Sequence, residues 1–262
     1  MGSQRLILVD GSGYIFRAFY ALPPMSREDG TPVNAVFGFT SMLLKLSEDM
    51  EGENILVVFD AARTTFRNEI YKEYKANRSE PPEELVPQFD LIKKATTAIG
   101  LKSLEVENYE ADDIIATYVK IAKKENIETL VISSDKDLMQ LIQDHVSLYD
   151  PMKNIKIGPE AVFEKFGVSP DKVIDVQALA GDSSDNVPGV PGIGVKTASQ
   201  LINEYGSLEK LLDNASSIKQ EKRRESLLNN AELAIVSKKL VSLFSDVPIP
   251  VSYTHLTLPT RS

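Results

Sequence analysis

Nine carboxylates carry the chemistry that this sequence offers most clearly. They are Asp10, Asp60, Glu110, Asp112, Asp113, Asp135, Asp137, Asp182 and Asp185. They lie at the ends of apolar runs or in the acidic motifs YEADD, SDKD and GDSSD. One such motif alone is also explained by helix capping, because acidic side chains stabilise the first turn of a helix. Nine in one cleft would oppose ionisation, and bound cations relieve that repulsion. We therefore predict a cluster of metal ligands.

The residue types indicate which metal this cluster suits. The chain has no cysteine and two histidines, His145 and His255, which argues against disulfides, thiol nucleophiles, structural zinc and most histidine-based catalysis. An all-oxygen ligand set favours Mg²⁺ or Mn²⁺. Two such ions about 4 Å apart can activate a water and stabilise the leaving oxygen of a phosphodiester. The predicted chemistry is metal-assisted phosphoryl hydrolysis.

Three apolar runs, LILVD, ILVVFD and TLVISSD, each end in one of these aspartates. Continuous apolar runs separated by helix-like segments are typical of strands buried on both faces of a parallel sheet. Ligand sites in such sheets lie beyond the carboxyl ends of the strands, where all three aspartates fall. The predicted fold is α/β, with a mainly parallel central sheet and helices over residues 35–50, 83–99, 111–125 and 138–143.

The pattern changes after Pro159 to short helices separated by Gly, Pro and Ser. This change predicts a smaller all-helical domain packed on the α/β domain. We place the α/β domain at residues 1–168 and the helical domain at 169–251. Residues 252–262 are polar and aperiodic, and we interpret them as a disordered tail foreign to the domain.

A basic and aromatic segment follows Asp60, over residues 62–82. Arg67, Tyr71, Tyr74, Lys75 and Arg78 recur at spacings of three and four, which predicts one stripe along a helix. Most charged stripes are solvated faces. Alternating tyrosines and cations are also typical of surfaces that bind single-stranded nucleic acid. We predict that the stripe binds DNA and that Lys75 and Arg78 contact the scissile phosphate.

Arg17 is a further candidate for phosphate contact. It lies in GYIFRAFYALPP, close in sequence to the first aspartate. We expect the aromatic residues of this segment to belong to the core rather than to a stacking platform.

The run VPGVPGIGVKTA predicts a backbone anion site. Gly189, Gly192 and Gly194 permit positive φ angles and close approach, and a helix begins at Val195. Amides at a helix N-terminus bind anions, and Lys196 adds a positive charge. A lone glycine-rich connector would be unremarkable, but the repeated pattern matches a hairpin between two helices that holds a DNA backbone without reading its sequence.

Composition places weaker bounds on function. The chain has 262 residues and a formal net charge of −9, which disfavours a nucleic-acid partner unless bound cations offset the acidic cluster. No apolar run approaches the ~20 residues of a membrane span, and the start does not resemble a signal peptide. We expect a soluble protein that is not exported by a signal peptide and has no membrane partner.

Five motifs together resemble one known family. LVDGSGYIFRAFYALP, VVFDAARTTFRNEIYKEYKANR, YEADDIIAT, ISSDKDLMQL and GDSSDNVPGVPGIGVKTA resemble, in order, the signatures of the 5′-nuclease domain of bacterial DNA polymerase I, in the flap endonuclease superfamily. The resemblance runs from about Leu6 to Val251. It implies a PIN-like 5′-nuclease fold with a helix-hairpin-helix element. No polymerase portion follows, so we expect either a stand-alone relative or a domain excised from a longer polymerase.

The resemblance also implies roles for the residues. Asp10, Asp60 and Asp112 would hold one metal ion with Glu110 close by, and Asp113 is carried over with them. The second ion would lie among Asp135, Asp137, Asp182 and Asp185, with Asp112 as a possible bridge. The segment from Arg67 to Arg78 would be the helical arch beside which a 5′ strand passes. Residues 189–196 would grip duplex DNA, with a monovalent cation such as K⁺ on their carbonyls.

The resulting prediction is a Mg²⁺-dependent 5′-3′ exonuclease and 5′-flap endonuclease. It would act on DNA with 5′ flaps, nicks or 5′ ends, and on RNA primers, in replication and repair. The resemblance further implies a monomer that works in the cytoplasm, at the nucleoid. Two alternatives stay open. A PIN-like ribonuclease would keep the chemistry but change the substrate, and a junction-binding module would keep the DNA but have an idle metal site.

Overall fold

The structure is a computed structural model and describes residues 5–50, 53–151 and 153–249. Within these ranges it contains eleven α-helices and one six-stranded sheet. The predicted tail at 252–262 lies outside the described residues. None of the described helices has the length and apolar character needed to cross a bilayer.

The central sheet consists of β1 (Leu6–Asp10), β2 (Asn54–Val58), β3 (Lys102–Leu104), β4 (Thr129–Ile132), β5 (Val146–Asp150) and β6 (Ile155–Ile157). Their order is β3-β2-β1-β4-β5-β6, and all neighbours are parallel except β5 and β6. The three predicted strands correspond to β1, β2 and β4, and the mainly parallel α/β sheet is confirmed. The sequence reading missed β3, β5 and β6, which are short or half-exposed and lack a continuous apolar run.

Helices cover both faces of the sheet, which explains why β1 is apolar without alternation. Leu6 and Leu8 pack into one cluster of buried residues, and Ile7 and Val9 pack into another on the opposite face. The helices of this part are α1 (Gly11–Ala21), α2 (Asn34–Asp49), α3 (Phe66–Ile70), α4 (Val86–Ala98), α5 (Ala111–Lys124) and α6 (Pro159–Phe166). Helices α1, α2 and α4 pack on the Ile7 face, and α5 packs on the Leu6 face.

The C-terminal part is helical, as predicted. It consists of α7 (Val173–Ala180), α8 (Val195–Tyr205), α9 (Leu208–Asp213), α10 (Glu221–Asn229) and α11 (Ala231–Val241). Its buried residues join the same apolar cluster that lies under α5, so the helical part packs directly on that face of the sheet. Helix α11 packs against α7, and α7 packs against α8.

The predicted helix over the basic segment is wrong for most of its length. Helix α3 ends at Ile70, Tyr71 is extended, and residues 72–77 form turns. Tertiary hydrogen bonds replace the helical ones here: the N–H of Lys75 donates to Asp185 O at 2.9 Å, and Lys75 itself has a positive φ of 55°. The basic and aromatic residues therefore do not form a stripe along one helix face. The predicted helix at 138–143 is instead a 3-10 helix over Asp137–Leu141.

Candidate active site

An acidic cleft of about 500 Å³ opens at the carboxyl edge of the sheet. Strand order reverses between β1 and β4 at this edge, and such a reversal is where parallel α/β sheets place their ligand sites. Acidic side chains reach the cleft from beyond β1, β2 and β4, from the start of α5 and from the turn after α7. Eight of the nine predicted carboxylates line it: Asp10, Asp60, Glu110, Asp112, Asp135, Asp137, Asp182 and Asp185.

Asp10 is held where β1 passes directly into α1. Its Oδ1 accepts a hydrogen bond from Gly13 N at 3.1 Å and so caps the helix. Its Oδ2 accepts from Ser133 Oγ at 2.8 Å, and the same hydroxyl oxygen accepts from Asp135 N at 3.0 Å. Ser133 thereby ties together the carboxylates that follow β1 and β4.

Asp60 links the end of β2 to two neighbouring helices. Its Oδ2 accepts from Ser12 Oγ at 2.5 Å, and its Oδ1 accepts from Ala111 N at 2.8 Å. Ala111 is the first residue of α5, and Glu110 is the N-cap of that helix. Hydrogen bonds of Asp60 thus connect the end of β2 with α1 and with the start of α5.

Asp135 and Asp137 flank the start of the 3-10 helix after β4. Asp135 Oδ1 accepts from Asp137 N at 2.8 Å. Asp137 Oδ1 accepts from Gln177 Nε2 at 2.5 Å. Gln177 is a buried residue of α7, so this hydrogen bond connects the helical part directly to a cleft carboxylate.

Asp182 and Asp185 lie in a turn closed by reciprocal backbone hydrogen bonds. Asp182 N donates to Val187 O at 3.0 Å, and Val187 N donates to Asp182 O at 2.8 Å. Within the turn, Ser184 donates to Asp182 Oδ1 from its amide at 2.9 Å and from its hydroxyl at 2.6 Å. The turn fixes both carboxylates in the lining of the cleft.

Burial and mutual repulsion disfavour the charged forms of several of these acids. Burial raises the pKa of Asp10 to about 6, opposed by its hydrogen bonds and reinforced by Asp60 and Asp135. Burial and then the charge of Asp135 likewise raise the pKa of Asp137 to about 6. The pKa of Asp112 is raised well above its usual value by burial and by the charges of Asp135, Asp10 and Asp60. The cleft is therefore short of positive charge.

Two predicted cations, Lys75 and Arg78, reach one side of the acidic set. Lys75 Nζ lies 2.9 Å from Glu110 Oε2 and 3.7 Å from Asp185 Oδ2. Arg78 Nη2 lies 2.5 Å from Asp185 Oδ1. Burial alone would lower the pKa of Lys75, but Glu110 and Asp185 raise it, so its ammonium group stays charged. Both side chains line the cleft, and their contact with a scissile phosphate stays a prediction.

The carboxylates do not form a closed coordination sphere in this arrangement. Among the residues that the structure describes, no three acidic or histidine side chains are grouped closely enough to enclose a metal ion. Ion pairs explain part of this spacing, because Lys75, Arg78 and Lys136 hold the oxygens of Glu110, Asp185 and Asp182. The donor set still fits a hard divalent cation, since it consists of carboxylates, several with raised pKa values.

The structure does not support the predicted roles of Arg67 in DNA binding and of Asp113 in metal binding. Their side chains are 1% and 0% exposed and form a bidentate ion pair, with both N–O distances at 2.7 Å. Adjacent positions on a helix point about 100° apart, so Asp112 faces the cleft and Asp113 faces the interior. Arg67 is closed off from a DNA strand, and Asp113 is not positioned as a metal ligand.

Tyr74, Tyr71 and Arg17 also differ from their predicted placement. Tyr74 is buried, and its hydroxyl donates to Glu110 Oε2 at 3.3 Å, while Tyr71 is half-buried beside it. Neither ring is an open stacking platform. Arg17 lies on α1 and is not among the residues that line the cleft. The aromatic residues of the same helix are only partly core: Tyr14 is buried as expected, whereas Phe16 is 40% exposed and Tyr20 is 71% exposed.

The glycine-proline run connects α7 to α8. Gly189 and Gly192 have the predicted positive φ angles, 61° and 79°, whereas Gly194 is extended at −92°. Gly192, Gly194 and Lys196 are exposed at the start of α8. A Cβ built on Gly192 or Gly194 would have no neighbour within 4 Å. The backbone there is open to an approaching ligand.

Several residues that line the cleft or bind its carboxylates were not predicted from the sequence. Lys136 lies between Asp135 and Asp137 in SDKD, and its ammonium group pairs with Asp182. That position in the motif was a usable signal. Lys165 of α6 also lines the cleft and makes no ion pair among the described residues. No local pattern marked Lys165, Ser133 or Gln177, because their contacts form only in the folded chain.

Two family models match the chain. Residues 5–167 match the 5′-3′ exonuclease N-terminal resolvase-like domain, and residues 168–262 match the 5′-3′ exonuclease C-terminal SAM fold. DNA polymerase I of Rhizobium leguminosarum is 53% identical over 99% of this chain. The chain spans only 26% of that relative's length.

Solved structures show the same architecture. The T5 5′-exonuclease with bound zinc superposes with a TM-score of 0.77 at 25% identity, covering 92% of this chain and 90% of that one. The catalytic core of Rad2 in complex with a DNA substrate gives a TM-score of 0.63 at 15% identity, covering 98% and 83%. The Rad2 likeness concerns the fold alone.

Proposed function

The chain belongs to the 5′-3′ exonuclease family, and on that premise we propose that it hydrolyses DNA phosphodiesters at 5′ ends and 5′ flaps with the help of divalent metal ions. The observation that carries this proposal is the convergence of eight carboxylates from five segments in one cleft at the carboxyl edge of the sheet. A cleft so acidic would repel DNA unless cations bound in it. RNA primers would enter by the same route during primer removal and repair.

Two groups of carboxylates would hold two Mg²⁺ or Mn²⁺ ions. Asp10, Asp60, Glu110 and Asp112 would hold one, and Asp135, Asp137, Asp182 and Asp185 would hold the other. Their oxygen-only chemistry supports a hard cation, and the raised pKa values of Asp10 and Asp137 support a need for positive charge. When bound, such ions lower the pKa of water and stabilise the leaving oxygen of a phosphodiester.

The protein's own cations would position the substrate. Lys75 and Arg78 hold Glu110 and Asp185 in the structure, and an incoming phosphate group would compete for the same ammonium and guanidinium groups. Preorganised cations beside a reacting phosphate stabilise the charge that develops in the transition state.

The segment between α7 and α8 would hold the duplex as a helix-hairpin-helix element. The exposed backbone at Gly192 and Gly194, the N-terminus of α8 and the charge of Lys196 support contact with a phosphodiester backbone. A monovalent cation such as K⁺ would add to this contact. Because the chain spans about a quarter of its polymerase I relative, we also propose that a polymerase portion is linked to it in the whole protein.

Incision of a labelled 5′-flap duplex, with and without Mg²⁺, tests the proposal. We expect Mg²⁺-dependent incision by the unmodified protein and a loss of roughly 100-fold or more in Asp135→Asn and Asp182→Asn. Asp144→Asn is the matched control, because Asp144 is exposed and lies outside the cleft. It should incise like the unmodified protein.

The same assay separates the alternatives. Single-stranded RNA cut in preference to flap DNA would identify a ribonuclease, and tight flap binding without incision in Mg²⁺ would identify an idle binding module. Undiminished incision by both aspartate variants would exclude the proposed site.

A further inference from the structure

A buried ion pair joins the base of the basic segment to the helix that carries two cleft carboxylates. Arg67 belongs to α3 and Asp113 to the first turn of α5. Their side chains are almost completely excluded from solvent, and the guanidinium and carboxylate groups face each other in a bidentate geometry at 2.7 Å. Such a fork-to-fork contact fixes direction as well as distance.

Each carboxylate oxygen of Asp113 accepts two hydrogen bonds. Its Oδ2 accepts from Arg67 Nη1 and, at 3.1 Å, from Glu110 N. Its Oδ1 accepts from Arg67 Nη2 and, at 2.8 Å, from Phe244 N. Asp113 therefore restrains Glu110 through the backbone of the same helical turn, and Asp112 lies between them in the chain.

Arg67 reaches in the other direction, to the end of the helical part. Its Nε donates to Leu240 O at 2.8 Å, and its Nη2 donates to Ser242 O at 2.9 Å. Both carbonyls belong to the last turn of α11 and the residue after it. Helix α11 packs along α7, and α7 leads directly into the turn with Asp182 and Asp185. The contact of Arg67 with α11 therefore also affects where these two carboxylates lie.

We propose that Arg67 and Asp113 form a positioning pair that fixes Glu110 and Asp112 relative to the helical part, and so sets the spacing between the two halves of the carboxylate cluster. This inference rests on the proposed function. The pair would act through Glu110 N, Phe244 N and the two carbonyls at the end of α11, and Arg67 Nη1 also lies 3.7 Å from Glu110 Oε2.

The geometry also predicts which substitutions disturb the pair. Lysine keeps the charge of Arg67 but has no planar fork, so it cannot serve Asp113 and two carbonyls together. Asparagine keeps the shape of Asp113 but turns one acceptor into a donor that faces Arg67 and either Glu110 N or Phe244 N. Lys120→Ala is a matched control, because Lys120 also joins α5 to the C-terminal segment, through an exposed ion pair with Asp246 at 2.7 Å.

Mn²⁺ binding to the DNA-free protein, measured by electron paramagnetic resonance, is the first readout. In Arg67→Lys and Asp113→Asn we expect Mn²⁺ affinity to fall by about 10-fold or more, since losing the partner that orients a ligand typically costs about 10–100-fold. The Mg²⁺ concentration for half-maximal flap incision should rise by a similar factor, while the affinity for flap DNA in Ca²⁺ stays within about 3-fold. Lys120→Ala should match the unmodified protein throughout.

Amide hydrogen exchange in the unmodified protein gives a readout that needs no variant to fold. The amides of Glu110 and Phe244 should be protected to the level of interior α5 amides such as that of Ile115. Exchange of both at the rate of free peptide would overturn the proposal. So would unchanged Mn²⁺ affinity in variants that melt cooperatively, or a loss of DNA affinity alone in Arg67→Lys, which would indicate direct DNA contact.

These readouts also separate this inference from the proposed function. If the unmodified protein failed to incise flap DNA, the proposed nuclease function would be wrong. Mn²⁺ affinity and amide exchange would still decide whether the pair positions the carboxylates.

Discussion

Lys75 and Arg78 are the residues whose surroundings bear most directly on substrate handling. Each pairs with a cleft carboxylate, and Lys75 N–H also donates to Asp185 O. A cation that neutralises a carboxylate in the free protein and a phosphate in the complex does not need to be desolvated anew at each turnover. The same side chains thus limit repulsion before the substrate arrives and stabilise charge when it reacts.

The double variant Lys75→Ala, Arg78→Ala tests that dual role. We expect flap incision at saturating Mg²⁺ to fall by roughly 100-fold or more, because two preorganised cations are lost beside the phosphate. The Mg²⁺ concentration for half-maximal incision should not rise, because the removed cations no longer compete for Glu110 and Asp185. Lys72→Ala is the control, since Lys72 is exposed in the same segment and makes no ion pair among the described residues. Equal incision by the double variant and the unmodified protein would contradict the assignment.

Individual residues were predictable from the sequence where position along an element decides the contact. Aspartates after apolar strands converge because parallel strands share one carboxyl edge, which is why Asp10, Asp60 and Asp135 reach the cleft. Asp112 and Asp113 are alike in sequence, and only the folded partner Arg67 distinguishes them. Arg67 was unpredictable for the same reason: its four hydrogen bonds go to residues at least 46 positions away.

At the scale of elements, the connection from α7 to α8 joins two functions in one short stretch. Its first half is the closed turn with Asp182 and Asp185, and its second half is the open backbone at Gly192 and Gly194. Gly189 lies between them, packed against Gly181, and its N–H donates to Ser237 Oγ of α11 at 2.9 Å. The stretch is therefore tied to the helical part at its centre and exposed at its end.

Gly189→Ala and Gly192→Ala form a matched pair that tests this division. Both glycines have positive φ, so alanine at either costs about 1–2 kcal/mol of backbone strain. At Gly189 a Cβ would also lie 2.4 Å from Gly181 N and 2.7 Å from Ala180 C, so we expect a larger loss of unfolding free energy there, roughly 3 kcal/mol or more. Urea unfolding measures both values.

DNA binding should rank the same two variants in the opposite order, with the larger loss of affinity in Gly192→Ala. Gly192→Ala places a methyl group on the exposed backbone, so it should weaken flap-DNA binding in Ca²⁺ although it costs less stability than Gly189→Ala. Weakened binding by the folded Gly189→Ala protein alone, with Gly192→Ala unaffected, would exclude the proposed hairpin contact.

Elements were predictable where they are buried and regular, and less so where tertiary contacts decide the backbone. Strands β1, β2 and β4 are almost wholly buried, and their apolar runs indicate them directly. The segment after Ile70 has helical spacing, yet its backbone bonds to the acidic turn: Asn77 donates to Ser183 O at 2.7 Å, and Asn186 donates to Glu73 O at 2.6 Å. No pattern within the segment signals partners more than 100 residues away.

At the scale of the whole molecule, net charge and its placement set how stability depends on metal and pH. The chain carries a formal charge of −9, and eight of its acids share one cleft. The raised pKa values of Asp10, Asp112 and Asp137 mean that the folded protein binds protons more readily than the unfolded chain at these sites. The fold therefore holds a cluster that is destabilised when its carboxylates ionise without a bound cation.

We therefore expect the metal-free protein to lose stability as pH rises from about 4 towards about 7. An acid whose folded pKa lies above its unfolded value stabilises the fold fully below the unfolded pKa, and this contribution disappears as pH rises through the folded pKa, about 6 for Asp10 and Asp137. The loss is on the order of 3 kcal/mol for each of Asp10 and Asp137, and Mg²⁺ should offset it most at the upper end of the range. Thermal melting in a chelator and in Mg²⁺, at matched ionic strength, measures the difference.

Asp10→Asn should flatten the pH dependence of stability, because its side chain no longer titrates. A melting temperature that rises with pH in the chelator would show that ionisation of the acidic cluster does not destabilise the fold.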